Sequence, residues 1–353
     1  MSELRYCPVK HRWTIIAPER KMRPDEFLSQ EPPSSATAAS PFRYGYEAQT
    51  PPEILLLHHE GPAHSGPSWQ VRVIPNKFPV LRVEGEVSRE GIGLFDRLTG
   101  IGAHEVIVEN PDPAKELADL QVGDVLQVLR AYRARLQDLR RDHRLQYILI
   151  FKNKGVAAGA TLPHPHSQLI ATPIIPTFVK QELRSAREHY ARKERCLFCD
   201  IIRDEQRLGE RVAIETDRFI ALEPFAASFP FETWILPRRH SHDFAASSDD
   251  ELHHLAEILR DFLRRVRVVL NDPPYNLVLH TAPSFHPRPA HPDYWSTIEH
   301  DFHWHLEIIP RITRISGFEW GAGLTVNPTP PEEAAQFIQD ADPERDNNVQ
   351  DRG

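Results

Sequence analysis

The sequence has few cysteines, no long apolar run and no excess of positive charge. Three cysteines among 353 residues are too few for a disulfide framework, which argues against an oxidising compartment. No stretch approaches the ~18 apolar residues that a membrane-spanning helix needs, and the N terminus lacks the apolar core of a signal peptide. Asp and Glu number 50 against 42 Lys and Arg, a net charge of −8, whereas nucleic-acid-binding proteins usually carry a basic face. We therefore expect a cytoplasmic protein that binds neither membranes nor nucleic acids.

Histidine, in contrast, is abundant, with 19 residues, and two His-x-His segments each end the same succession of patterns. In both, apolar residues at helical spacing are followed by a short apolar strand, a loop and the His-x-His strand. The first succession occupies 117–139, 147–151 and 164–168, and the second occupies 252–266, 276–280 and 303–307. The same order twice favours an internal duplication. The Pro-, Ser- and Ala-rich residues 29–53 predict a long loop.

The first His-x-His segment carries the most specific chemical pattern. Alternate side chains of a strand share one face, so His164, His166 and Gln168 are expected side by side. The preceding turn, 155–161, is rich in small residues, which let backbone N–H groups approach a phosphate. A neutral imidazole whose other nitrogen is held by a carbonyl can attack phosphorus, and an amide can stabilise the developing charge. The pattern predicts a phosphoryl-transfer site, and a half-buried polar strand is the alternative.

A second pattern concerns metal binding. Cys196 and Cys199 form a Cys-x-x-Cys pair with two candidate ligands downstream, His240 and His303. Two thiolates and two imidazoles make a closed tetrahedral zinc site. His242 is an alternative to His240, and a reduced or redox-active cysteine pair is the alternative to a metal. We predict one zinc ion per chain.

With these motifs, the chain from about residue 4 to residue 337 resembles the galactose-1-phosphate uridylyltransferase family, a branch of the histidine-triad superfamily. The resemblance implies an α+β fold of duplicated histidine-triad-like halves, each a mainly antiparallel sheet with a packed long helix. The proposed division is 1–178, 190–337 and a polar tail, 338–353. A homodimer is a further expectation from the family.

The resemblance also implies a covalent mechanism. His166 matches the family's nucleophile, which takes the nucleotidyl group onto a ring nitrogen, and Gln168 would then hold the phosphoryl group. His164 is expected beside them in the catalytic group. The further residues implied to bind the nucleotide sugar are Arg20, Arg23, Asn76, Asn153, Gly159, Thr161 and Phe318.

The implied substrates are a nucleotide sugar and a sugar phosphate, and the resemblance favours UDP-glucose with galactose 1-phosphate. Two features keep an alternative open. Ser167 stands where the family usually has Gly, and residues 317–328 resemble those of a sister branch that acts on ADP-glucose with phosphate as acceptor. An ADP-glucose phosphorylase is therefore the alternative. A histidine-triad hydrolase, in which water replaces the acceptor, is the third interpretation.

The first half departs from the family at its own metal site. Ser40 and Arg43 stand where the resemblance implies a Cys-x-x-Cys pair, and Pro113 stands at the third ligand. We expect that this site has been lost. His164 would remain to orient the active strand by hydrogen bonding.

A second metal, which some family members bind, has an incomplete set of ligands here. Glu182, His280 and His305 match three of the positions that the resemblance implies, and Glu307 stands at the fourth. We favour the absence of this metal. Because Glu307 also replaces the counterpart of Gln168, we expect no phosphoryl chemistry at His305.

Overall fold

A computed structural model describes residues 2–16, 18, 40–58, 68–286 and 295–344. The strands are β1 Glu3–Cys7, β2 Arg12–Ile16, β3 Leu55–Leu57, β4 Val71–Pro75, β5 Arg89–Ile92, β6 Phe95–Leu98, β7 Ala103–Val108, β8 Tyr147–Lys154, β9 His166–Thr172, β10 Val212–Glu215, β11 Phe219–Leu222, β12 Thr233–Pro237, β13 Tyr275–His280, β14 His305–Pro310 and β15 Thr325–Asn327. The helices are α1 Val122–Leu139, α2 Thr177–Lys193, α3 Leu197–Leu208, α4 Asp249–Leu270, α5 Ile298–Asp301, α6 Gly317–Ala322 and α7 Pro331–Asp340. This is the predicted α+β class.

One ten-stranded sheet, in the order β10-β11-β12-β14-β13-β8-β9-β7-β4-β3, forms the centre of the fold. All its neighbouring strands are antiparallel. Five consecutive strands come from the first half of the chain and five from the second, and β8 pairs with β13 where the halves meet. The duplicated order of elements therefore builds one continuous sheet, and the residue boundaries of the two halves remain our proposal.

The two long helices, α1 and α4, pack against each other and cover one face of the sheet with buried apolar side chains. A capping box between Ser248 and Glu251 begins α4, and satisfies backbone N–H groups of its first turn. Helix α1 begins at Val122, five residues later than the apolar spacing predicts. Leu117 and Leu120 are buried in the preceding turns, so they repeat the helical burial pattern without belonging to the helix.

The opposite face of the sheet carries the polar residues of the proposed site. Ile150, Leu169 and Leu277 belong to the core beneath the helices. Because side chains alternate along a strand, His166 and Gln168 on β9 point to the other face. Strand pairing thus separates an apolar support from a polar surface in the middle of the sheet.

Two smaller sheets, β1-β2-β15 and β5-β6, complete the fold. Helix α7 continues to Asp340, and Ile338 at the start of the proposed tail is fully buried. In the predicted loop 29–53, residues 40–53 form turns and one 3-10 turn, Glu47–Gln49, while 29–39 lie outside the described residues. None of the helices in the described part of the chain has the length and apolarity that a membrane crossing requires.

Candidate active site and metal centre

His166 lies at the first position of β9 and is largely buried. Its Nδ1 is 2.7 Å from the carbonyl oxygen of His164. A carbonyl only accepts, so Nδ1 carries the proton and Nε2 keeps its lone pair. Burial lowers the pKa of His166 to about 4, and the ring is therefore neutral near pH 7. These are the properties of a nitrogen nucleophile.

His164 precedes the strand instead of lying in it, because β9 begins at His166. It is fully buried, and its Nε2 donates to the carbonyl of Asn110 at 2.8 Å. The carbonyl group of His164, more than its ring, contacts the proposed nucleophile. The strand thus begins two residues later than the sequence pattern predicts, and the alignment of the His164 ring with His166 and Gln168 stays a prediction.

Phe42 packs against both imidazoles, with ring centroids 5.5 Å from His166 and 6.0 Å from His164. It lies in the segment 40–43, which the sequence singles out only as the counterpart of Cys196–Cys199. Phe198 of that pair packs on His305 at 5.1 Å. The aromatic residue between the paired positions is the signal that could have identified Phe42.

His104 on β7, which sequence reasoning missed, lies between the side chains of Gln168 and Asn76. The backbone N–H of Val80 donates to Nδ1 of His104 at 3.3 Å, which leaves the proton on Nε2. That nitrogen donates to Oε1 of Gln168 at 2.9 Å. Nδ2 of Asn76 lies 3.1 Å from the same nitrogen, but it is also a donor and therefore makes no hydrogen bond to it. With Oε1 held by His104, the NH2 group of Gln168 is left to donate elsewhere.

The loop after β8 has the backbone conformation that its glycines allow. Gly155 and Gly159 have φ values of 81° and 91°, in the region that residues with a Cβ rarely adopt. Asn153 precedes this loop. Lys152 pairs with Ser167 across β8 and β9, and the same register extended by one residue pairs Asn153 with His166. Thr161 follows in an exposed turn. The structure thus brings Asn153 beside the proposed nucleophile at the mouth of the loop.

Three further residues are implied to bind the nucleotide sugar. Arg20 and Arg23 lie outside the described residues. Phe318 lies on α6 and is half exposed. Their roles in binding the nucleotide sugar stay predictions.

Buried ion pairs lie beneath the nucleophile, on the helix side of β9. Ser167 donates to Glu109 at 2.6 Å and also bonds the hydroxyl of Tyr132. Lys152 donates to the other oxygen of Glu109 at 2.7 Å and pairs with Glu116 at 3.0 Å. Burial raises the pKa of Glu109, against the opposing charge of Lys152. Ser167, Glu109, Tyr132 and Lys152 are almost completely buried, so they support β9 and do not contact a ligand on the other face.

The four predicted zinc ligands converge. Ligand atoms of Cys196, Cys199, His240 and His303 all lie within 4.8 Å of one another. Nδ1 of His240 and of His303 lie 3.4 Å and 3.5 Å from the Cys199 sulfur. Each Nε2 donates to a backbone carbonyl, of Glu299 or of Pro237, at 2.9 Å. His240, and not His242, belongs to this group.

The arrangement suits a metal ion electrostatically. Cys196 caps the N terminus of α3 and Cys199 lies in its first turn, where the helix dipole stabilises thiolates. A hydrogen bond from the Cys196 thiol is the largest influence that lowers the pKa of Cys199, to about 3. With both Nε2 protons held by carbonyls, each imidazole presents an unprotonated Nδ1. The donor set therefore fits a tetrahedral metal site.

A second buried cluster, formed by Glu182, His280, His305, Glu307 and Lys10, lies on the same sheet face. His280 faces Glu182 through Nδ1 at 2.9 Å and Glu307 through Nε2 at 3.1 Å. Burial alone would lower the pKa of His280, but the two carboxylates raise it to about 10. The ammonium of Lys10 bonds the other oxygen of Glu307. This cluster brings its own cations, and Glu182, His280 and His305 lie close enough to hold a metal.

The second half repeats the geometry of the nucleophile without its chemistry. Nδ1 of His305 is 3.1 Å from the carbonyl of His303, as His166 is related to His164. Its ring, however, stacks on His280 at 4.5 Å and its Nε2 is enclosed. A substrate has no access to this nitrogen.

The α+β fold places a neutral, oriented histidine beside amides and a glycine loop, and these are the groups that histidine-dependent nucleotidyl transfer requires. The sequence matches the models of the galactose-1-phosphate uridyl transferase N-terminal domain over residues 1–176 and C-terminal domain over 182–324. The chain therefore belongs to the galactose-1-phosphate uridylyltransferase family, a family of transferases.

The relatives come from two branches. The chain is 33% identical to the ADP-glucose phosphorylase of Arabidopsis thaliana over 342 residues, 96% of this chain and 92% of that protein. It is 27% identical to the galactose-1-phosphate uridylyltransferase of Thermotoga maritima over 352 residues, 98% and 100% of the two. A crystal structure of an A. thaliana ADP-glucose phosphorylase with bound ADP-glucose has a TM-score of 0.79 at 29% identity, covering 97% of this chain and 99% of that one.

Proposed function

We propose that the chain exchanges a nucleotidyl group between a nucleotide sugar and an acceptor phosphate through a covalent bond to His166. The observation that carries this proposal is the ring orientation, with Nδ1 held by the His164 carbonyl at 2.7 Å. Nε2 attacks the α-phosphorus, and the bond from that phosphorus to the sugar-phosphate oxygen breaks, releasing the sugar 1-phosphate. An oxygen of the acceptor phosphate then attacks the same phosphorus and breaks its bond to Nε2.

The neighbouring residues have separate proposed tasks. The NH2 group of Gln168, freed by His104, would donate to a phosphoryl oxygen as charge develops. His164 fixes the tautomer of the nucleophile and is a positioning residue. The residues proposed to hold the nucleotide and its phosphates are Arg20, Arg23, Asn76, Asn153, Gly159, Thr161 and Phe318.

Two substrate pairs are candidates. The sequence resemblance alone favours UDP-glucose with galactose 1-phosphate. The higher identity to an ADP-glucose phosphorylase, 33% against 27%, supports ADP-glucose with phosphate, and we test this pair first. Hydrolysis without an acceptor is the third outcome to be measured.

The test uses ADP-glucose and UDP-glucose, each labelled at the α-phosphorus, in the absence of acceptor. The wild type should acquire an acid-labile label, and His166→Ala should acquire none. His305→Asn is the matched control, because that histidine has the same backbone contact in the other half. Equal labelling of His166→Ala and wild type would refute the assignment. Adding phosphate or galactose 1-phosphate then identifies the acceptor, and release of free nucleoside monophosphate without either identifies a hydrolase.

We also propose a structural zinc ion at Cys196, Cys199, His240 and His303. The two thiol groups and two Nδ1 atoms support it, because they form a closed set with no place for a substrate. When bound, the ion would hold the start of α3 to the segments after β12 and before β14. For Glu182, His280 and His305 we propose no metal, since Lys10 and His280 already balance the carboxylates there. A homodimer also remains a proposal from the family.

A further inference from the structure

Asn276 on β13 comes from the second half of the chain, yet it hydrogen-bonds the proposed site in the first half. Its Nδ2 lies 2.8 Å from Oδ1 of Asn153 and 2.8 Å from the carbonyl oxygen of Ala158. The two asparagines are direct partners in the pairing of β13 with β8. The register of β8 with β9, extended by one residue beyond Lys152 and Ser167, pairs Asn153 with His166. The three side chains therefore form one row on the same face.

These contacts determine the orientation of both side-chain amides. The Ala158 carbonyl only accepts, so the atom of Asn276 that faces it is the NH2 nitrogen. Both protons of that group are then used, one to Ala158 and one to Oδ1 of Asn153. Asn153 must therefore turn its own NH2 group away from Asn276 and toward the loop. That nitrogen lies 3.7 Å from the place a Cβ would occupy at Gly159.

We propose that Asn276 is a positioning residue for nucleotidyl transfer. It holds the NH2 group of Asn153 toward the glycine loop and fixes the loop through Ala158. The hydrogen-bond donors that would contact the phosphates are therefore already in position before the substrate binds. This inference rests on the proposed function. The second half of the chain, for which we propose no chemistry at its own His-x-His strand, would thereby contribute directly to the reaction.

The test is a double-mutant cycle on the rate of covalent labelling in a single turnover. Asn276→Ala and Asn153→Ala should each slow labelling roughly 10- to 100-fold, because misplaced groups lose rate without blocking the chemistry. If Asn276 acts mainly through Asn153, the loss of rate in the double variant should be far smaller than the product of the two single losses. Multiplied losses in the double variant would overturn the proposal, as would a wild-type rate in Asn276→Ala.

Two more variants separate positioning from folding. Asn276→Asp keeps the shape but draws the NH2 group of Asn153 toward the new carboxylate, so labelling should slow although the circular dichroism spectrum shows a folded protein. Asp272→Asn is the control, because it breaks a neighbouring contact between the same segments, Lys154 to Asp272 at 2.6 Å, and should leave the rate unchanged. A wild type that is never labelled would refute the proposed function itself. A labelled wild type with unaffected Asn276 variants would refute only this inference.

Discussion

Ser167 donates a 2.6 Å hydrogen bond to Glu109 on the side of β9 that faces away from the proposed nucleotide site. This contact indicates a structural role for Ser167, which stands where the family usually has glycine. The serine hydroxyl lies between Glu109 and Tyr132 in an enclosed group. The hydroxyl thus stabilises β9 on the helix side of the sheet and cannot contact a nucleotide base on the opposite side.

Replacing Ser167 with glycine should therefore alter stability and leave substrate choice alone. Glu109 and Tyr132 would each lose a buried partner, at a cost of about 1–3 kcal/mol in the free energy of unfolding. Urea titration measures that loss, and the ratio of kcat/KM for ADP-glucose and UDP-glucose measures the preference. A changed ratio at unchanged stability would show that Ser167 acts on the substrate side.

The acid limit of the first half-reaction should lie near pH 4. Burial holds the pKa of His166 at about 4, so its Nε2 lone pair remains available down to about pH 5. As pH falls through 4 the ring gains a proton and the nucleophile is lost. Between pH 6.5 and 4 an unfolded His166 would bind more protons than the native one, so its contribution to stability also decreases with acid. Rapid-quench labelling at nucleotide-sugar concentrations well below saturation reports the free protein, and a midpoint near 6.5 would contradict a desolvated nucleophile.

Elemental analysis of the purified protein should find about one zinc ion per chain, bound by the closed Cys2His2 set. Cys196→Ser should lose the metal and lower the melting temperature. Cys7→Ser is the matched control, because Cys7 is also buried but lies outside the ligand group. Two zinc ions per chain would contradict the loss of the first site and the metal-free interpretation of the cluster around His280.

Features that depend on residues close together in the sequence could be predicted, whereas contacts between distant segments could not. The period-two pattern indicated that His166 and Gln168 share a face, and a Cys-x-x-Cys pair with two histidines identified the residues that meet at the metal centre. Asn276 and His104 were not identified, because their roles depend on which strands are neighbours in the sheet. The order of the strands cannot be derived from a local sequence pattern. The contact of Asn276 with Asn153 becomes visible only when β13 is known to pair with β8.

Lys10 was missed for the same reason, since its carboxylate partners lie more than two hundred residues along the chain. It is 8% exposed, donates to Glu232 at 2.6 Å and also bonds Glu307. Burial alone would raise the pKa of Glu307, but Lys10 and His280 hold it well below its ordinary value. The lysine therefore supplies the positive charge that keeps this carboxylate ionised inside the protein.

Lys10→Met should destabilise the fold by about 3–5 kcal/mol, because it leaves buried carboxylates without their cation. Without Lys10 the pKa of Glu307 rises, so the deficit relative to wild type should shrink as pH falls and the carboxylates take up protons. Chemical denaturation at pH 8 and pH 5 measures both effects. Lys154→Met is the control, since its partner Asp272 is 54% exposed and such surface pairs contribute about 0–1 kcal/mol. A deficit that grows toward acid would mean that Lys10 does not compensate these carboxylates.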